Sequence, residues 1–296
     1  MAEVATSARS SGTSSALSDP LLVVVDPVAR RVDGESVRIA KDVLRAGAAH
    51  TKVCLPDSPE EFARMLGRRG SRRPVVVGDD RALLRAVGLL HRWRELAGCG
   101  LSLVPVGPAQ ELSRSLGVPS GAVAAARAVL EGAERRLDLL VDDSDGVVLG
   151  AVGIPPAPGA AQEAAGADDD ASVRPWLRTC QSLVRTLAHP RPARSGPATG
   201  PGPARLRVEV DGVTLVDLDQ PVAGVSLIPG GPGLAEVEVR PLSVGAEASP
   251  ITARGRTVTV SGAHFRYRAD AVESGPVGTR TWTVRESAWG LTLPAR

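Results

Sequence analysis

From Leu21 onward the apolar positions follow two different periods in the two halves of the chain. The first run, "LLVVVDPV", is continuously apolar, the pattern of a strand buried on both faces of a parallel sheet. In "GESVRIAKDVLRAGAA", Val37, Ala40, Val43 and Leu44 recur at helical spacing. "TKVCL" predicts a second strand. "SPEEFARMLGRRG" predicts a helix with Ser58 as N-cap, Pro59 at its first position, Glu61 closing a capping box, and Gly67 or Gly70 ending it. The order continues with "PVVV" as a strand, "DRALLRAVGLLHRWREL" as a helix and "LSLVPV" as a strand. "AQELSRSLG" and "GAVAAARAVLEG" follow as helices, and "RRLDLLVDD" with "GVVLGAVGI" forms a hairpin around Ser144-Asp145-Gly146. Strands alternating with helices over 20–154 predict a layered, mostly parallel α/β domain.

From Ala204 the period becomes two. "RLRVEVDGVTLVDL" carries Asp211-Gly212, a hairpin turn signal, and "AEVEVRPL", "RTVTVSG", "HFRYRAD" and "RTWTVRE" continue the alternation. Residues 204–296 therefore predict an all-β sandwich or barrel. Between the halves, "PPAPGAAQEAAGADDDAS" and "HPRPARSGPATGPGP" have linker composition, with one helix predicted at about 173–188 inside 155–203. Residues 1–19 have no apolar core of a signal peptide and are expected to form a disordered tail.

Composition narrows the function classes. A net charge of +2 gives no electrostatic argument for a nucleic acid partner, and 2% aromatic content offers few platforms for stacking bases. The basic residues are almost all arginine, Lys41 and Lys52 being the only lysines; we read this as coding bias. Three scattered cysteines (Cys54, Cys99 and Cys180) suit a reducing compartment, and no apolar run reaches membrane-span length, so a cytoplasmic location is expected. The histidines His50, His91, His189 and His264 lack ligand-like spacing, and no metal site is expected from them. Neither a Walker lysine loop, a G-x-S-x-G elbow nor a bare dinucleotide fingerprint is present.

Taken in order, "VVVGDDRALLRAV", the block over residues 101–140 and the ending "VSGAHFRYRADAV…TWTVRESAWGLTLP" resemble the diacylglycerol kinase catalytic-domain family, which includes bacterial soluble lipid kinases and sphingosine kinases. The resemblance implies an N-terminal Rossmann-like, NAD kinase-like α/β nucleotide-binding domain followed by a C-terminal β-sandwich lipid domain. It also implies ATP and Mg2+ as cofactors if the chain is active, a diacylglycerol-like lipid as substrate, and peripheral contact with the inner face of the membrane.

The motifs depart from the family pattern. Where the family has Gly-Gly-Asp-Gly-Thr, this chain has Gly78-Asp79-Asp80-Arg81-Ala82, so two glycines and the hydroxyl are replaced. Where the family has Pro-Leu-Gly-Thr-Gly-Asn-Asp, "PVGPAQE" keeps Pro105 and Gly107, while Pro108 removes a hydroxyl and an N–H donor. Where it has Asp-Gly-Glu, this chain has Asp270-Ala271-Val272-Glu273, and Asp26-Pro27 stands at the family's Asn-Pro. By resemblance, Asp270 and Glu273 are the candidate catalytic acids; Asp26, Gly78, Asp79, Asp80, Arg81 and Gly107 are the candidate nucleotide-binding positions. Each also reads as an ordinary turn, with acids favoured at a helix N-terminus. Asp138 matches a family aspartate, and Gly233 and Glu236 match part of its Asp-Gly-x-x-Asp segment. The chain is short between there and "RTVTVSG", which implies an abbreviated lipid domain. Two readings follow: an ATP-dependent lipid kinase, or a catalytically inactive relative acting as a nucleotide- or lipid-binding or regulatory module.

Overall fold

The computed structural model describes residues 20–155, 204–242 and 249–295. The expected tail over 1–19, the helix expected at about 173–188 and the linker sequence around it lie outside the described residues. The chain divides into two compact units: Met1–Leu139 with Asp145–Val147 and Arg285–Arg296, and Leu140–Ser144 with Val148–Val284. The molecule is mixed α/β, with a strand-rich region in its C-terminal half.

In the first unit, β1 (Leu21–Val25), β2 (Thr51–Cys54), β3 (Arg73–Gly78) and β4 (Gly100–Pro105) pair in parallel in the order β2-β1-β3-β4. The end of the last strand, β14 (Val272–Leu293), lies parallel beside β4, with Gly290 opposite Gly100. Among the described residues, six helices connect or cover these strands: α1 (Pro27–Val32), α2 (Gly34–Gly47), α3 (Pro59–Gly67), α4 (Asp80–Arg92), α5 (Glu111–Ser115) and α6 (Ala122–Glu131). The continuous apolar run of β1 has a direct cause. Leu21, Val23 and Val25 pack with Val37, Ala40 and Leu44 of α2 and Ala125, Ala126 and Val129 of α6. Leu22 and Val24 point to the opposite face and are equally buried.

Helix ends follow local chemistry. Ser58 caps α3 by accepting from Glu61 N at 3.2 Å. The Glu61 carboxylate reaches one residue further back than a capping box does, accepting from Asp57 N at 2.8 Å. Helix α4 stops at Arg92, four residues earlier than the apolar spacing predicts. Arg94 takes φ +61, its N–H donates to His91 O, and Glu95 N donates to Leu90 O, which is a Schellman termination without glycine. β5 (Ala133–Asp142) pairs with β6 (Val147–Val148) across the expected turn, where Asp145 takes φ +64.

The second unit is antiparallel. β7 (Val152–Ile154), β8 (Ala204–Val210), β9 (Val213–Val216), β10 (Pro221–Pro229), β11 (Ala235–Pro241), β12 (Ile251–Gly255) and β13 (Thr257–Ala269) pair with one another, and β13 pairs with the first part of β14. Asp211 and Gly212 both take positive φ, +50 and +82, and join β8 to β9. Alternate residues of these strands build a core around Trp282, whose ring meets Tyr267 edge-on at 5.3 Å. The segments "RTVTVSG" and "HFRYRAD" are one strand, because His264 at φ +47 and register shifts on either side of Phe265 break the alternation without ending the pairing. β10 and β12 escape the pattern because proline, glycine and short length blur their alternation. Among the described residues, no helix is long and apolar enough to cross a membrane.

Candidate functional site

Strands β1, β3 and β4 are neighbours, so the turns that follow them meet at one end of the parallel sheet, where open α/β sheets bind ligands. Backbone bonds extend the pairing past the strand ends: Asp26 N donates to Val77 O at 2.8 Å and Val106 N to Gly78 O at 3.0 Å. Three aspartates gather here, all nearly inaccessible: Asp26 at 3%, Asp79 at 5% and Asp80 at 4% exposure.

Each has partners within the chain. Asp26 caps α1, accepting from Val28 N at 2.8 Å, with Pro27 opening the helix. Its other oxygen takes a charge-assisted bond of 2.6 Å from Arg85 of α4, a residue that sequence reasoning missed. The Arg85 guanidinium also lies 5.6 Å from the centre of the Phe62 ring. Asp79 caps α4, accepting from Arg81 N at 3.1 Å and Ala82 N at 3.3 Å. Asp80 reaches across to the loop after β4. Its carboxylate accepts from Leu112 N at 2.8 Å and Ser113 N at 2.9 Å at the start of α5, while its own N–H donates to Ala109 O at 2.8 Å.

Burial pushes the Asp79 carboxyl above its ordinary value of 3.8, with a smaller push from the nearby charge of Asp26; the N–H bonds and Arg81 oppose this without cancelling it. The two surviving glycines have steric reasons to be glycine. A Cβ on Gly78 would stand 2.6 Å from the Ala82 Cβ and 2.9 Å from the Asp26 Cβ. Gly107 takes φ +127, and a Cβ there would lie 3.0 Å from the Asp79 Cβ. Arg81 is exposed, as is Pro108, while Gln110 Nε2 donates to Gly107 O at 2.8 Å and tightens the loop.

Three structure comparisons bear on this arrangement. Two solved structures of a putative diacylglycerol kinase from Bacillus anthracis str. Sterne match with TM-scores of 0.66 and 0.64, each at 14% identity, covering 93% of this chain and 97% of theirs. A third, a diacylglycerol kinase from the same organism, matches with TM-score 0.63 at 11% identity and the same coverage. The chain has a diacylglycerol kinase-like fold. No protein-family model matches the chain, and no curated protein matches its sequence.

Within this kinase-like fold, the two candidate catalytic acids belong to the second unit and the nucleotide-binding set to the first. Asp270 sits in the turn between β13 and β14 at φ +49. Its carboxylate accepts from Leu149 N at 2.8 Å, Gly150 N at 2.7 Å and Ala151 N at 2.9 Å, and its own N–H donates to Ala151 O at 2.8 Å. Glu273 is exposed near the start of β14 and pairs with Arg266 at 3.5 Å. Asp138 accepts from Ser287 N at 2.8 Å, and Glu236 pairs with Arg254. His91 meets Asp145 at 2.8 Å. Among the described residues, no three His, Cys, Asp or Glu side chains gather as a metal site.

Proposed function

We propose that the chain is a diacylglycerol kinase-like protein that no longer transfers phosphate and serves as a binding or regulatory module. In this reading the first unit is a Rossmann-like, NAD kinase-like domain, and the second is a β-sandwich suited to a diacylglycerol-like lipid. The expected setting is cytoplasmic, with peripheral membrane contact. One observation carries it: the N–H groups at the starts of α4 and α5 already bond to the chain's own carboxylates, Asp79 and Asp80. A helix N-terminus holds a phosphate through such free donors. A triphosphate would have to displace two anions and lie beside a third, Asp26. Pro108 offers no N–H in compensation. The residues present therefore do not fit Mg-ATP. Since one lost donor to a transition state costs on the order of 100-fold, several lost together leave negligible turnover.

The second reading, an ATP-dependent lipid kinase, draws support from the fold and from exposed Arg81, whose guanidinium can pair with a phosphate. Labelled ATP with vesicles containing diacylglycerol separates the two. No incorporation above a heat-killed control is the expected result, and lipid phosphorylation at a rate ordinary for a kinase would establish the second reading.

A further inference from the structure

We propose that a depression at the N-terminal ends of β1, β2 and β3 binds a phosphate-bearing anion. It lies at the opposite end of the parallel sheet from the aspartate cluster, so it is independent of the function proposed above. The pairing of the sheet assembles it. Thr51 and Arg73 both register with Leu21, Leu21 N donates to His50 O at 2.8 Å, and Arg73 N donates to Pro20 O at 2.9 Å. Residues 50–52 and 70–72 therefore flank the start of β1. Between them is a concavity of about 500 Å³ lined by Pro20, His50, Thr51, Lys52, Gly70, Ser71 and Arg72. Gly70 at φ +60 and the bond from Arg72 N to Arg69 O close the turn that forms its rim.

Among the described residues the charge of this concavity is one-sided: no Asp or Glu lines it, and neither Lys52 nor Arg72 forms a salt bridge. Elsewhere the basic side chains are commonly paired: Arg30 with Asp57, Arg38 with Glu35, Arg136 with Glu134, Arg207 with Glu209, Arg240 with Glu238. The adjacent pairs Arg68-Arg69 and Arg72-Arg73, which precede β3, divide the same way. Arg69 pairs with Glu95 at 2.6 Å, and Arg73 donates to Val129 O at 2.7 Å, so both serve the fold. Among the described residues the Arg72 guanidinium makes one bond, 3.4 Å to Arg69 O, and Lys52 is one of two lysines in the chain. Two basic residues and Ser71 lining a hollow with no acidic residue among the described ones match a phosphate group, which carries up to two charges and accepts several hydrogen bonds. A monovalent carboxylate would leave one cation uncompensated.

Inorganic phosphate titrated calorimetrically into the full chain, against chloride at matched ionic strength, tests the site. Saturable binding is expected, weakened about tenfold by Lys52→Gln or by Arg72→Gln. Lys52 is exposed on edge strand β2, so its variant should keep the wild-type melting temperature. Arg240→Gln, at an exposed position of β11 in the second unit, should leave phosphate binding unchanged; if it abolishes binding while Lys52→Gln does not, the proposal is overturned. A parallel arm sediments the chain with phosphatidylglycerol or phosphatidylcholine vesicles. Retention on the anionic vesicles alone, lost in Lys52→Gln, assigns the phosphate to a lipid headgroup instead of a free metabolite and upholds the site. Silence in both arms, or binding indifferent to Lys52 and Arg72, removes it.

Discussion

Asp80 shows how one side chain can look like a nucleotide-binding group in sequence and be occupied structurally. Both of its oxygens are bonded to amides of α5, and it is nearly inaccessible. Asp80→Ala should therefore act on stability: two buried N–H groups lose their partner, at a cost of about 3 kcal/mol, measurable by urea denaturation. Asp80→Asn keeps one acceptor and should recover about half of that loss. A variant as stable as wild type would show that the bonds to Leu112 and Ser113 carry little. Asp79 behaves differently, because its pKa is raised by burial. The folded state then holds the proton more tightly than the unfolded chain does, so stability falls as pH rises from the ordinary value of 3.8 through the raised one, and stays lower above it. Asp79→Asn, still a competent N-cap, should be more stable than wild type at neutral pH, and the gain should vanish below the unfolded pKa. Melting curves from pH 3 to 8 check this; a gain independent of pH would refute the assigned cause.

At the scale of elements, the strands and helices of the first unit were legible because β1 and β3 are buried on both faces and α2, α3 and α4 carry strong apolar periods. The stop of α4 was not, since the left-handed position falls on Arg94 and glycine is the signal one reads. Helix α1 has no counterpart among the expected elements, because Asp26-Pro27 reads as an ordinary turn and Asp-Pro marks both a turn and a capped helix start. The β13–β14 corner was legible only as a motif. Its physical content is a clamp: Asp270 at φ +49 gathers the amides of Leu149, Gly150 and Ala151. Sequence shows nothing of a contact spanning about 120 positions. Asp270→Gly relieves the backbone conformation but removes the acceptor, and should lower stability by about 2 kcal/mol; Asp270→Asn, tolerant of the same φ, should lose less. If the glycine variant proves the more stable of the two, strain relief outweighs the clamp.

For the molecule as a whole, the order of elements carried the likeness to kinases through the sequence, because burial pattern and chain order survive where motif residues change. The state of the candidate site did not come through, since it depends on which acids face which amides across three loops. The two kinds of information can be separated by rebuilding the motif. Asp79→Gly, Arg81→Gly and Ala82→Thr together turn residues 78–82 into the family's Gly-Gly-Asp-Gly-Thr. That chain loses the α4 cap, places a glycine in the first turn and adds a larger side chain at a fully buried position, where Ala82 stands over Gly78. These changes sum to a destabilisation of roughly 3 kcal/mol. It should still gain no melting-temperature shift from millimolar Mg-ATP, because Asp80 continues to hold the α5 amides and Pro108 still lacks its donor. A rebuilt chain that folds well and is stabilised by several degrees on adding Mg-ATP would mean that the triphosphate pocket survives in the backbone and that three side chains alone keep it closed.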